Sequence, residues 1–189
     1  MLIRAVCRSR LAHQKTNKIV KTIYLAGGCF WGTEHFFKQI HGVVNTTVGY
    51  ANGNTENPTY EEVCSDTTHF AETVKVEYDE KKVPLFFLLR MYFLTIDPTQ
   101  VDEQGADKGS QYRTGIYYED EADKAIIEDA VAEESFAFSD PIATEVMPLK
   151  NFYAAEEYHQ DYLDKNPGGY CHISPELMKM ARETQRIDN

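Results

Sequence analysis

The stretch KTIYLAGGCFWGTEHFF, Lys21 to Phe37, changes backbone period in its middle. KTIYLA (21–26) reads as a short strand that ends at Gly27-Gly28. Beyond it Thr33, Phe37 and Ile40 fall at i, i+4 and i+7, with Phe36 beside them. That is the stripe of a helix, and Gly42 stops it. Cys29 therefore stands where a strand turns into a helix, followed directly by Phe30 and by the chain's only tryptophan, Trp31.

Working outward, GVVNTTVGY reads as a second strand and ANGNTENPTYEEV as a turn-rich stretch with Pro58 as first residue of a short helix. ETVKVEYD alternates: Val74, Val76 and Tyr78 share one face, and Glu72 has the parity of that apolar face. VPLFFLLRMYFLTI, opened by Pro84, is the main core helix. TQVDEQGADKGSQ is a polar loop, YRTGIYY a strand, EDEADKAIIEDAVAEE an exposed acidic helix and IATEVM a strand. AAEEYHQDYLDKN reads as a helix ended by Pro167, and ISPELMKMARE as a last short helix. The order strand–helix–strand–strand–helix–strand is the split βαβ pattern. The expected fold is α+β: a ferredoxin-like two-layer α/β sandwich with a mixed sheet and additional C-terminal helices and coil.

The chain has 189 residues, 42% apolar and 26% charged, as expected of one globular domain. Its net charge of −11 argues against nucleic-acid binding, and no apolar run reaches the roughly 20 residues that span a membrane. Residues 1–28 hold six Lys and Arg and no acid. Residues 1–21 are therefore read as a basic, disordered extension, with a transit peptide as the alternative, and 22–189 as a single domain. Four scattered cysteines without a CxxC pair point away from a disulfide scaffold and a zinc site. A reducing, cytoplasmic setting is the default, with no metal and no cofactor expected. No self-association motif shows, so a monomer is expected.

At a helix N-terminus, free N–H groups and the helix dipole lower a thiol's pKa, so the position of Cys29 suits a nucleophile. Core packing would explain it equally well on these grounds alone.

GGCFWGTE resembles the GCFWG signature of the A-type peptide methionine sulfoxide reductases. GYANGNTENPTYEEVCS, HFAETVKVEYD, DPTQVDEQGADKGSQYRTGIYY and YHQDYLDKNPGGYCHI resemble further blocks of that family, in its order, over about residues 22–173. The resemblance implies thiol-dependent reduction of methionine S-sulfoxide, free or protein-bound, in repair of oxidative damage. It implies Cys29 as nucleophile, Phe30 and Trp31 as the methyl pocket, and Glu72 as the acid that protonates the sulfoxide oxygen. Tyr60 and Tyr112 match hydrogen-bond donors to that oxygen, and Asp107 and His159 match positions that orient substrate or water. Phe70 falls where the family often has histidine, and His69 is one position earlier.

The sulfenic acid left on Cys29 condenses readily with a second thiol. Cys7, Cys64 and Cys171 are the candidates. Cys171 lies in NPGGYCHI, where two glycines allow a mobile tail, and matches the family's distal resolving cysteine. The expected cycle forms a Cys29–Cys171 disulfide that thioredoxin reduces. Two other classes stay open: a cysteine hydrolase or acyltransferase with His159 as base, and a non-enzymatic redox sensor.

Overall fold

The computed structural model describes residues 20–184; residues 1–19, with Cys7 and most of the basic extension, and residues 185–189 lie outside the described residues. β1 (Val20–Gly27) leads into α1 (Phe30–Phe37), and β2 (Val43–Ala51) follows. Val20 and Lys21, assigned above to the extension, are the first two residues of β1. A short α2 (Tyr60–Cys64) precedes β3 (Ala71–Asp79), and α3 (Leu85–Phe93) packs behind it. A two-residue ladder of β4 (Glu103–Gln104) and β5 (Asp107–Lys108) and a 3-10 turn (Ser110–Tyr112) lead to β6 (Thr114–Tyr118). α4 (Asp123–Ser135), β7 (Glu145–Pro148), β8 (Phe152–Ala154), α5 (Tyr162–Lys165) and α6 (Pro175–Glu183) complete the described chain.

The main sheet has the order β7-β6-β1-β3-β2-β8. Its four middle strands are antiparallel and carry the ferredoxin-like order, while β7 adds parallel to β6. The expected α+β sandwich with a mixed sheet is the observed architecture. Period-2 alternation sends Ile23 and Leu25 of β1, and Val74, Val76 and Tyr78 of β3, to one face. There they meet Phe36 and Phe37 of α1 and Leu88, Leu89 and Tyr92 of α3 in the main core. Tyr24, Ala26, Ala51, Ala71 and Tyr117 form a smaller cluster on the opposite face. No described helix is long and apolar enough to cross a membrane.

Several local expectations change. The helix expected over AAEEYHQDYLDKN shrinks to Tyr162–Lys165, because its polar side chains bond across to other elements. Phe152–Ala154 before it is a strand on the edge of β2. Pro58 precedes α2 rather than beginning it: Thr59 is the N-cap and forms a capping box with Glu62. Pro84 likewise stands at the N-cap of α3.

Antiparallel pairing brings the last residues of β1 and β2 and the first residues of β3 and β6 to one end of the sheet. Tyr50 lies opposite Glu72, and Gly27 opposite Thr114. Tyr92 closes this end from beneath: its hydroxyl donates to the Ala26 carbonyl (2.6 Å) and accepts from the Gly115 N–H (3.1 Å). Tyr92→Phe keeps the ring but strands these buried groups, so stability should fall by about 1–3 kcal/mol. Urea denaturation measures this; a loss under about 0.5 kcal/mol would contradict the bridging role.

Candidate active site

Cys29 is the N-cap of α1, buried to 6% exposure just beyond the end of β1. The turn that places it needs glycine at position 28, whose φ is +77°. Glu72, the second residue of β3, is 1% exposed, and its Oε2 accepts the N–H of Phe30 (3.1 Å), the first residue of α1. A helix leaves its first N–H groups without partners, and here a buried carboxyl group takes one. Burial outweighs that bond and, with the Asp107 charge adding to it, pushes Glu72 up to about 8. At pH 7 Glu72 is mostly a neutral acid.

The thiol behaves differently from the expectation at the helix start. The backbone N–H groups of Trp31 and Gly32 do favour its anion, but burial, and then the Glu72 charge once that carboxyl group ionises, act more strongly. The net direction is up, so Cys29 rests as a thiol rather than a thiolate.

Aromatic rings surround this pair. Phe30 is fully buried and lies 5.2 Å from the His159 ring. Trp31 stacks on Tyr162 with centroids 3.7 Å apart, and its Nε1 donates to His159 Nδ1 (3.1 Å). That bond puts the His159 proton on Nε2, which faces Glu156 Oε2 at 4.0 Å. His159 is 2% exposed, and burial holds its pKa down and keeps it neutral. Tyr60 lies 4.7 Å from the same imidazole. The hydroxyls of Tyr60 and Tyr112 both feel the Glu72 charge, and both are raised, by burial first. Asp107 accepts from the Tyr170 hydroxyl at 3.0 Å, and its charge reaches Cys29, Glu72 and His172.

Cys171 reaches the same place from the C-terminal coil. A methyl group built on Gly32 would stand 3.4 Å from Cys171 Sγ and 2.9 Å from His172 Nδ1, so the coil rests on bare backbone three residues past Cys29. Cys29, Cys64 and Cys171 are all free thiols. Cys64, exposed at the end of α2, lies beside the Tyr60 hydroxyl. Phe70 is core: it is 1% exposed and meets Tyr153 edge-on. The backbone carbonyl of His69 accepts from Arg113 (3.1 Å).

Three supporting groups were absent from the sequence reading. Glu156 accepts from the Tyr60 N–H (2.9 Å) and the Tyr50 hydroxyl (2.8 Å). Glu34, inside α1 and 2% exposed, accepts from Thr46 (3.2 Å) and from the Asp161 N–H (3.0 Å). It thereby holds the turn that delivers Tyr162 to Trp31, and burial pushes its carboxyl up to about 7. The signal for Glu34 was present: it follows the buried Thr33 on the stripe's edge. Tyr162 had none, because its partner Trp31 is 131 positions away in the chain. No cluster of three or more His, Cys, Asp or Glu among the described residues could hold a metal ion.

Comparison with known proteins gives a consistent set of relatives. The family model described as peptide methionine sulfoxide reductase matches residues 21–189. The peptide methionine sulfoxide reductase MsrA of Clostridium acetobutylicum is 58% identical over 160 residues, 85% of this chain and 99% of that protein. Among solved structures, Mxr1 from Saccharomyces cerevisiae in its reduced form superposes with a TM-score of 0.78 at 42% identity, covering 82% of this chain and 91% of its own. Mxr1 in complex with Trx2 superposes at 0.55 with 34% identity, covering 76% and 84%.

The state of the thiol is directly measurable. At pH 7, iodoacetamide followed by peptide mass spectrometry should label Cys29 more slowly than exposed Cys64. Above pH 8, Glu72→Gln should accelerate labelling of Cys29, because it removes a carboxylate that opposes the thiolate. Unchanged labelling in that variant would show that the Glu72 charge does not control the thiol.

Proposed function

Because the chain belongs to the peptide methionine sulfoxide reductase family, an oxidoreductase family, we propose that it reduces methionine S-sulfoxide, free or within proteins, with Cys29 as nucleophile and Glu72 as acid. The observation that carries this reading is the Phe30 N–H to Glu72 bond, which holds a neutral carboxyl group against the turn bearing the buried thiol.

A sulfoxide presents a methyl group, a tetrahedral sulfur and a basic oxygen. Phe30 and Trp31 supply apolar faces for the methyl. Glu72 protonates the oxygen, which makes the sulfur electrophilic, and the hydroxyls of Tyr60 and Tyr112 donate to it. Asp107 and His159 orient the substrate or a bound water. The Cys29 sulfur attacks as its proton replaces the one Glu72 gave up. The oxygen finishes on Cys29 as a sulfenic acid and methionine departs as the thioether. Two electrons have moved from the cysteine sulfur to the methionine sulfur. Cys171 then displaces hydroxide, which leaves as water, and the Cys29–Cys171 disulfide forms. Thioredoxin is the proposed reductant; the solved complex of the related Mxr1 with Trx2 supports it. The catalytic domain in this reading begins with β1 at Val20 and works as a cytoplasmic monomer without cofactor or metal.

The pH dependence follows from Glu72. Its acid form is present below about 8 and is lost as pH rises past that value, and its anion also opposes the Cys29 thiolate. Methionine release in a single turnover should therefore slow above about pH 8. Glu72→Gln should lower the rate at pH 7 by on the order of 10²–10⁴-fold and remove that alkaline decline. Quenched-flow chromatography of released methionine decides the point; a full-rate variant would sink the acid role.

The substrate is tested with Met-S- and Met-R-sulfoxide peptides incubated with enzyme and dithiothreitol. Mass spectrometry should show loss of the S epimer alone, and none with Cys29→Ser. Equal loss of both epimers contradicts the reading. Cys171→Ser should complete one turnover yet stall with thioredoxin as reductant; steady recycling would remove Cys171 from the cycle.

A further inference from the structure

His172 is a half-buried histidine that the mechanism above leaves without work. Both ring nitrogens are shielded from solvent; the Gly27 carbonyl acts on the ring, yet neither nitrogen closes a hydrogen bond of good geometry among the described residues. Buried polar atoms nearly always find well-formed partners, so an imidazole with neither nitrogen fully satisfied calls for an explanation. The ring spans the turn that carries Cys29. Its Nδ1 would stand 2.9 Å from a methyl built on Gly32, and its Nε2 3.8 Å from one built on Gly28. Cys171 Sγ lies against the same point of Gly32, at 3.4 Å. The backbone that flanks the nucleophile, the second thiol and the imidazole thus share one small volume.

The resolving reaction has a proton problem that this placement answers. Burial raises the Cys171 thiol above its ordinary range, so little thiolate is present at pH 7. Hydroxide is a poor leaving group from a sulfenic acid unless it is protonated. The step needs one proton removed and one supplied, at two sulfurs brought together. The groups that act on the His172 ring are Asp107 and the Gly27 carbonyl, yet burial dominates and keeps it neutral, able to accept a proton. In the reduced state the Cys171 thiol points to the Ile173 carbonyl at 3.4 Å. That sulfur bond is weak, and turning about Cα–Cβ breaks it.

We propose that His172 is a catalytic residue of disulfide formation: it takes the thiol proton of Cys171 as that sulfur attacks Cys29, and returns it to the departing hydroxyl. The S–H bond of Cys171 and the S–O bond of Cys29 break; the S–S bond and an O–H bond of water form. Cys171 is oxidised, the Cys29 sulfenic acid is reduced, and His172 ends as it began. The proposal rests on the reading that Cys171 resolves a Cys29 sulfenic acid.

The test bypasses the sulfoxide, so that a wrong substrate and a wrong base give different results. The chain, carrying Cys7→Ser and Cys64→Ser so that the more accessible thiols do not take the oxidant, receives one equivalent of hydrogen peroxide to form the sulfenic acid directly. Acid-quenched samples are then followed by intact-protein and peptide mass spectrometry, with dimedone to trap what remains unresolved. His172→Ala should slow formation of the Cys29–Cys171 disulfide by on the order of 10²-fold, with dimedone adducts accumulating on Cys29. Imidazole in the buffer should restore the rate in proportion to its free-base concentration, which loss of packing alone would not allow. His172→Gln, closer in shape and without a base, should stay slow and serves if the alanine variant folds poorly. Wild-type rates in either variant, or slow resolution indifferent to imidazole, would overturn the role. A wild-type chain that forms no Cys29–Cys171 disulfide would overturn the resolving reading, and this proposal with it.

Discussion

The hydrogen bond from the Phe30 N–H to the Glu72 carboxyl group ties the start of α1 to the second residue of a central strand. A carboxyl group taken wholly out of water must be neutral or strongly partnered, and a helix start must find acceptors for its first N–H groups. One contact answers both demands. It also determines what surrounds the thiol. With α1 held against β3, Cys29 is enclosed, Phe30 points into the core and Trp31 is left on the rim. Burial then decides the balance of forces on the sulfur. The partial positive charge of a helix terminus is a modest effect, whereas loss of hydration for a buried anion is large. The resting site therefore holds its two protons on sulfur and on oxygen, uncharged in both places.

The other half of the site is brought by a chain segment with little regular structure. Residues 152–173 contain one short strand and one helix of four residues, so backbone ladders alone cannot hold them in place. Side chains take over. Gln160 both donates to and accepts from the backbone of Val48 (2.9 and 3.0 Å). Glu156 clasps β2 and α2, and Glu34 clasps the turn at Asp161, whose φ of +55° is a conformation few non-glycine residues adopt. Lys38 pairs with Asp161 and Asp164 from the neighbouring turn of α1. The coil is specified by polar contacts where the sheet is specified by apolar alternation.

That difference explains what could be read from the chain beforehand. The alternation of Val74, Val76 and Tyr78 places Glu72 on the inner face, and it is there, 1% exposed. The glycine pair and the aromatic stripe place Cys29 at a helix start. Both readings use neighbours within a few positions, where period and turn chemistry are local physics. The segment around His159 looked helical for the same reason: its composition suits a helix. Its conformation depends instead on partners more than a hundred positions away, such as the Glu34 carboxyl group and the backbone of Val48. Nothing within the segment encodes them. The buried state of His159 and the stacking of Tyr162 on Trp31 were invisible on the same account. Site membership for the distant residues came from family resemblance, and the fold supplies the physical means by which they meet.

The stacking of Trp31 has one more consequence. As the chain's single indole, it is sandwiched against a phenol ring and bonded through its N–H to an imidazole that belongs to the coil. Both contacts quench or shift tryptophan emission when they form and release it when they part. The protein thus carries its own optical gauge at the seam between sheet domain and coil, with no second fluorophore of that kind to confuse the signal. Filling of the pocket, or withdrawal of the coil as sulfur chemistry proceeds, can be watched in real time in the unlabelled molecule.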